Sequence, residues 1–265
     1  MRKGLSLRFE WLEALSELDV SRFDLLEIIP SATESSLSES LTFELLNNIS
    51  SSKASKWLHV VNVGLADDTD SFKRQLEFPL AVANDFEIEG ISLHFSIEFI
   101  EGRKLPQPLP VSANPIYLKN ALENCRHIQA SFDRGIAVEN ISCGTRFGLD
   151  VEYLDSYETL LAESGVASLL DFSNLSNTTR NLGASFQATL DRVTRFPIAY
   201  AHLGGSLLIG NSWIDAHNGF DFTPEVLEVL DGSGFEFPVV YEQDYKLTDL
   251  EYCQEQIEAF CATLS

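Results

Sequence analysis

Short apolar runs alternate with stretches of helical periodicity along the whole chain. Continuous apolar runs predict strands over residues 4–9, 24–29, 57–63, 90–99, 135–139, 166–172, 198–203 and 238–242. Between them, apolar residues spaced three and four apart predict helices over 10–18, 37–49, 69–84, 115–132, 153–164, 184–193 and 223–232. Pro79 is expected to break the helix over 69–84. Asn114 and Pro115 suit the N-cap and first position of the helix that follows. Thr248 and Glu251 have capping-box spacing for a last helix, which carries Leu250, Ile257, Phe260, Cys261 and Leu264 on one face.

Eight strand–helix units in 265 residues fit an α/β fold of the (β/α)8-barrel type, read as a single domain over 1–265. Nearly continuous apolar strands suit parallel strands buried on both faces. The competing open, doubly wound sheet lacks its Gly-rich turn after the first strand. The Pro-rich stretch 102–114 is expected to be a long loop over the barrel mouth, and no internal repeat is visible.

Composition narrows the function classes. Hydrophobic residues make up 45% and aromatic residues 11%, enough for a large core. No run of about twenty apolar residues occurs, so no membrane span is expected. The first residues lack the apolar core of a secretory signal, so a cytoplasmic location is the expectation. With 18 basic against 40 acidic residues, the net charge is −22. That repels phosphate backbones and anionic lipid, so neither nucleic acid nor membrane is expected as a partner. It suits solubility, cationic substrates or a basic peptide. Cys125, Cys143, Cys253 and Cys261 form no CxxC pair, and they read as buried or incidental.

The chemistry lies in polar residues set inside apolar strands. His59, His94, His202 and His217 fall in predicted strands or just after one, whereas His127 falls on a helix and reads as a surface residue. Glu139, Asp171 and Glu242 end apolar runs, and Glu27 sits within one. A desolvated carboxylate needs a cation or hydrogen-bond donors. In a barrel these strand ends converge on one mouth. Imidazoles and carboxylates together form a mixed N/O ligand set suited to iron, manganese or zinc. Asp215 and His217, two apart, face one side of an extended segment. Any one of these groups alone is more often structural; their joint placement points to a site. Asn62 and Asn140 suit ligand orientation or backbone bonding, and Trp57 and Trp213 suit packing.

The segments Leu58-His59, Ser92-Leu93-His94, Val138-Glu139-Asn140, Leu170-Asp171-Phe172-Ser173-Asn174, Ala201-His202-Leu203-Gly204-Gly205, Asp215-Ala216-His217 and Tyr241-Glu242-Gln243-Asp244 together resemble a known family. It is that of the multinuclear non-haem iron-dependent oxidases that modify ribosomally made peptides, typified by the methanobactin-biosynthesis oxidase. The resemblance runs from Gly4 to the last helix. It implies a (β/α)8 barrel with two or three iron ions, mixed Fe(II)/Fe(III), and dioxygen as co-substrate. It implies His59, His94, Glu139, Asp171, Asn174, His202, Asp215, His217 and Glu242 as metal ligands, with Glu139 bridging, and a proton-accepting role for Asp244. It further implies a Cys-containing precursor peptide, oxidised at cysteine to an oxazolone with thioamide or a related product. A separate leader-binding protein is expected as partner in a heterodimer, because no domain in this chain is free to serve. Ser206 stands where many members carry a third polar residue, often His; Ser173 stands where Asn is common; and Ile28-Ile29-Pro30 follows Glu27 without the frequent Glu-Asn pair. These departures bear on substrate more than on metal. Two other readings of the residues are another metal-dependent barrel enzyme, such as a sugar isomerase, epimerase or phosphodiesterase, and a non-catalytic peptide-binding scaffold.

Overall fold

The computed structural model describes residues 1–11, 18–30, 36–111, 115–144, 153–219, 223–232 and 235–264. Eight parallel strands close into a barrel: β1 (Lys3–Leu7), β2 (Leu25–Ile28), β3 (Ser55–Val60), β4 (Gly90–His94), β7 (Gly135–Glu139), β8 (Ala167–Asp171), β9 (Ile198–Leu203) and β12 (Val239–Tyr241). The fold class expected from the apolar pattern is therefore the one found. Two antiparallel hairpins stand on the mouth, β5 (Ser96–Ile100) with β6 (Arg103–Pro110), and β10 (Ser206–Ile209) with β11 (Ser212–Asp215).

The helices are α1 (Ser36–Ile49), α2 (Thr69–Asp85), α3 (Pro115–Ser131), α4 (Tyr153–Ser164), α5 (Phe172–Leu182), α6 (Phe186–Val193), α7 (Pro224–Gly232) and α8 (Leu250–Thr263). Their apolar faces and the outer faces of the strands make one continuous core that includes Leu26, Leu58, Phe72, Leu93, Phe95, Tyr157 and Phe260. A second, smaller cluster fills the lower barrel interior: Leu25, Ala137, Leu169, Tyr200 and Val240, with Trp57 packed against it. The Trp57 indole lies where a Cβ on Gly90 or Gly135 would be, 2.5 and 2.7 Å away, so neighbouring strands supply glycine to admit it. No described helix is long and apolar enough to cross a membrane.

Several local expectations need correction. The run 90–99 is two strands, because the chain leaves the barrel after His94 and folds back through Glu101 and Gly102, both at positive φ. The stretch 102–114 is accordingly not a loop over its whole length: Arg103–Pro110 is a strand. Its prolines at 106, 108 and 110 alternate, so their missing N–H groups fall along one side, as an outer edge strand tolerates. Pro79 lies inside an unbroken α2, where buried Phe72, Leu76, Val82 and Ala83 hold the helix to the core despite the lost hydrogen bond. Phe172 opens a helix instead of ending a strand. Asp249, not Thr248, caps α8, accepting from the Tyr252 N–H. Asn114 and most of the stretch 10–18, expected to be helical, lie outside the described residues; the described residues on either side include 3-10 turns at Phe9–Trp11 and Val20–Arg22.

Candidate functional site

Side chains two apart on a strand share a face, and this alternation builds the site. On each strand the lower interior position is apolar or glycine, and the next one up is polar: Leu25 then Glu27, Trp57 then His59, Ala137 then Glu139, Leu169 then Asp171, Tyr200 then His202, Val240 then Glu242. On β1, Gly4 is followed by Ser6 and then, just past the strand, by Arg8. Parallel register sets His94 beside Glu139 and Asp171 beside His202.

The polar groups meet at the mouth. Glu139 Oε2 lies 3.1 Å from His59 Nε2 and 3.4 Å from His94 Nε2. His202 Nδ1 faces Glu242 Oε2 at 3.0 Å, Glu139 Oε1 at 3.7 Å and Asp171 Oδ2 at 3.9 Å. His217 Nε2 faces Asp215 Oδ1 at 3.0 Å and Glu242 Oε2 at 3.4 Å. Asn174 donates to Glu139 Oε1 at 3.2 Å and accepts from the Ser142 hydroxyl. The structure thus brings together His59, His94, Glu139, Asp171, Asn174, His202, Asp215, His217 and Glu242, drawn from six barrel strands and the segments that follow them. Asp244 joins at the rim, where His217 Nδ1 at 3.2 Å and Arg8 engage its carboxylate. His127 sits on α3, away from the cluster.

Local structure explains several placements. Asp171 ends β8 and caps α5: one oxygen accepts from the Asn174 N–H, which leaves Oδ2 for the site. Asn140 bonds the backbone of Asp171 in both directions, locking the ends of β7 and β8 together. Of its two expected roles it takes the backbone one. His217 adopts φ 40, an uncommon conformation for a residue with a side chain. Its ring occupies the space a Cβ on Gly204 would need. Trp213 packs under Arg180, whose guanidinium lies 4.6 Å from the ring centre.

The donor set fits metal ions. Glu139 Oε2, Asp171 Oδ2, His202 Nδ1, Asp215 Oδ1, His217 Nε2 and Glu242 Oε2 are buried and lack a well-directed hydrogen bond. An uncompensated buried charge costs several kcal/mol, and a whole fold retains only about 5–15 kcal/mol, so a cluster of this kind calls for cations. Three overlapping groups have ligand atoms within 4.8 Å of one another: His59, Glu139 and His202; Asp171, His202 and Glu242; His217, Glu242 and Asp244. His202 belongs to the first two and Glu242 to the last two, so the three groups are contiguous.

Without metal, protons take the cations' place. Burial would lower the His94 imidazole, but Glu139 and Glu98 outweigh it and push it up to about 10. His202 and His217 rise well above the ordinary histidine range against the same desolvation, His202 through Glu27, Glu242 and Glu139, His217 through Asp215 and Glu242. Burial, with Asp215 and Glu139 nearby, drives the Asp171 carboxyl well above the usual carboxylate range.

A cavity of about 650 Å3 opens over the cluster, reaching His94, Asn174, Asp215, His217, Glu242 and Asp244. Its walls are the two hairpins, through Gln107–Pro110 on one side and Trp213–Ala216 on the other. Sequence reasoning missed Arg8, which donates to Glu242 Oε1 at 3.0 Å, and Glu98, a buried carboxylate 3.9 Å from His94 Nδ1. Arg8 continues the alternation that starts at Gly4, and that signal was available.

Solved structures of similar shape are (β/α)-barrel proteins. The 3-keto-D-glucoside 4-epimerase YcjR of E. coli superposes with TM-score 0.63 at 17% identity, over 99% of this chain and 98% of that one. A putative xylose isomerase of Rhodospirillum rubrum superposes with TM-score 0.67 at 13% identity, over 99% of each chain. At such identities the likeness speaks for the fold alone. In sequence, a UPF0276 protein of Caulobacter vibrioides is 27% identical over 149 residues, covering 56% of this chain and 53% of that protein. A UPF0276 protein of Pseudomonas aeruginosa is 29% identical over 168 residues, covering 62% and 58%. The chain thus spans little more than half the length of the curated relatives it matches. A family model described as "RiPP precursor modification enzyme MbnB/TglH/ChrH" matches residues 2–264. With a match of that extent, the chain belongs to the MbnB/TglH/ChrH family of RiPP precursor modification enzymes.

Proposed function

We propose that this protein holds two or three iron ions at the barrel mouth and uses dioxygen to oxidise a cysteine of a ribosomally made precursor peptide. The observation that carries the reading is the convergence of imidazole and carboxylate atoms in three overlapping groups, most of them buried and several without a well-directed hydrogen bond. Family membership supplies the peptide. His59, His94, Glu139, Asp171, Asn174, His202, Asp215, His217 and Glu242 would hold the metal. Bound iron supplies one-electron redox chemistry and an acceptor for a soft thiolate.

The chain's own residues do the rest. Glu139 has one oxygen toward His59 and His94 and the other toward Asn174, so it spans neighbouring positions as a bridging carboxylate would. Arg8 holds the outer oxygen of Glu242 and leaves the inner one to the site. Asp244 is the rim base in this reading, half exposed beside the cavity and held against His217. The two hairpins enclose the peptide segment, and a separate leader-binding protein delivers it. The acidic surface favours a basic peptide or partner.

The test is oxygen uptake by the iron-loaded protein. Uptake is expected only with a Cys-containing precursor peptide, and Cys→Ser in that peptide abolishes it. Equal modification of a cysteine-free peptide would overturn the cysteine chemistry. Zinc or manganese dependence without oxygen uptake would favour an isomerase-like or hydrolytic activity instead.

A further inference from the structure

The hydrogen bonds beneath the site form one unbroken chain. His59 Nδ1 lies 3.0 Å from Ser92 Oγ, and Ser92 Oγ lies 2.7 Å from Tyr200 Oη. Tyr200 Oη lies 2.5 Å from Glu27 Oε1, and that same oxygen lies 2.6 Å from His202 Nε2. All five residues are buried, at 0–1% exposure. The chain starts on one histidine of the mouth cluster and ends on another, and none of its three inner residues faces the cavity.

Its direction follows from chemistry. A carboxylate only accepts, so both Tyr200 and His202 Nε2–H donate to Glu27. With its one proton spent, Tyr200 Oη accepts from Ser92. With its own proton spent, Ser92 Oγ accepts from His59 Nδ1–H. Each imidazole then carries its proton on the nitrogen that faces away from the mouth. The nitrogens left for a metal are His59 Nε2, toward Glu139, and His202 Nδ1, toward Glu242, Glu139 and Asp171. This accounts for the opposite use of the two rings, one offering its ε nitrogen and the other its δ nitrogen.

We infer that Glu27, directly and through Tyr200 and Ser92, is the positioning residue that sets the proton placement of both His202 and His59 and presents their free nitrogens to metal. The inference rests on the metal-centre reading above. Glu27 was expected among the strand carboxylates that converge on the mouth; its place is behind the cluster, as the common acceptor. Partners behind a ligating histidine ordinarily change metal affinity by about 10- to 100-fold.

Zinc is the probe, since it is diamagnetic and needs no oxygen. Affinity is read by competition with a chromophoric chelator, and proton placement by NMR of histidine-15N-labelled protein. In the zinc-loaded parent, His59 is expected to carry its proton on Nδ1 and His202 on Nε2. Tyr200→Phe keeps the ring that packs against Trp57 and removes one oxygen whose hydrogen bonds go to Ser92 and Glu27, neither of them a proposed ligand. It should weaken zinc binding about 10-fold and shift the His59 Nδ1–H signal. Ser92→Ala should do the same, and the double variant should be little worse than either, because the chain is already cut. Glu27→Gln should cost toward 100-fold and move the signals of both histidines. Tyr157→Phe removes an equally buried hydroxyl outside the chain and should leave both readouts unchanged. Parent-like affinity and unmoved histidine signals in Tyr200→Phe and Ser92→Ala would overturn the relay and leave the metal centre standing. A parent protein that binds no zinc would overturn the metal centre and the relay with it.

Discussion

The lower and upper halves of the barrel interior are equally buried and differ in almost everything else. Leu25, Ala137, Leu169, Tyr200 and Val240 below, and Glu27, His59, Glu139, Asp171, His202 and Glu242 above, are each at most 2% exposed. The lower set is satisfied by packing, with Trp57 filling the space over two glycines, and its one hydroxyl, on Tyr200, is hydrogen-bonded to Ser92 and Glu27. The upper set is left with buried nitrogen and oxygen atoms that no protein group completes. An apolar upper layer of similar volume would cost nothing in unpaired charge, and such replacements of buried ion clusters are often neutral or stabilising. On the metal-centre reading one layer serves the fold and the other a ligand, although only two residues along each strand separate them.

The largest expected effect lies in the upper layer. Glu139→Gln keeps the shape and removes the charge that faces His59, His94 and His202. Metal affinity should fall by at least about 100-fold, beyond the usual loss for groups behind a ligand, while circular dichroism stays native. His127→Ala, on α3, should keep both metal and fold. Equal loss in the two variants would mean that fold damage had been mistaken for site damage.

The converse substitution probes the lower layer. Leu169→Ala opens a cavity in a fully buried position and should cost about 2–5 kcal/mol of stability by denaturant titration. Metal bound per folded chain should not change. If metal is lost in proportion to stability, the two layers are one cooperative unit and the contrast fails.

Acidity separates the layers in a third way, because protons gather only above. The metal-free His94 imidazole stands at about 10, against an ordinary 6.5. A raised folded-state pKa contributes stability that is fully present below about pH 6.5 and is lost as the pH rises through 10. The raised Asp171 carboxyl acts in the same direction, since ionising it in the folded state is unfavourable. The melting temperature of metal-free protein should therefore fall between neutral and alkaline pH. Metal loading near neutral pH should release protons, because His94, His202 and His217 must give theirs up to bind. A flat stability profile with no proton release would remove the electrostatic part of the contrast.

Much of this was legible in the sequence because strand alternation is simple. Each polar residue two positions above an apolar one, as in Trp57 and His59 or Leu169 and Asp171, announces the interior face and its change of character. The parts that were not legible depend on contacts between distant segments. The Ser-, Asn- and Thr-rich run from Phe172 to Leu182 has poor helix propensity, yet it is α5. Its side chains are committed elsewhere: Ser173 bonds the Gly204 carbonyl, Asn174 reaches Glu139, and Thr178 accepts from the Cys143 N–H. Arg8 was overlooked although it continues the alternation from Gly4, because it follows the strand; Tyr200 resembles ordinary core, and only its partners across the barrel reveal it.

The smallest expected effect is at the rim. Arg8→Lys keeps the charge but loses the planar guanidinium, whose Nη2 reaches both Glu242 and Asp244. A loss of only a few-fold in metal affinity is expected, below the 10-fold characteristic of more deeply buried partners. A larger loss than for Glu27→Gln would move the organising centre of the site from the barrel interior to its edge.

The central claim is that the upper layer is a multinuclear iron centre. Anaerobic reconstitution with ferrous iron, removal of excess metal and elemental analysis test it most directly. The account predicts more than one iron retained per chain in the parent and a sharp loss in Glu139→Gln. Retention of no iron, or equal retention by the parent and Glu139→Gln, would contradict it.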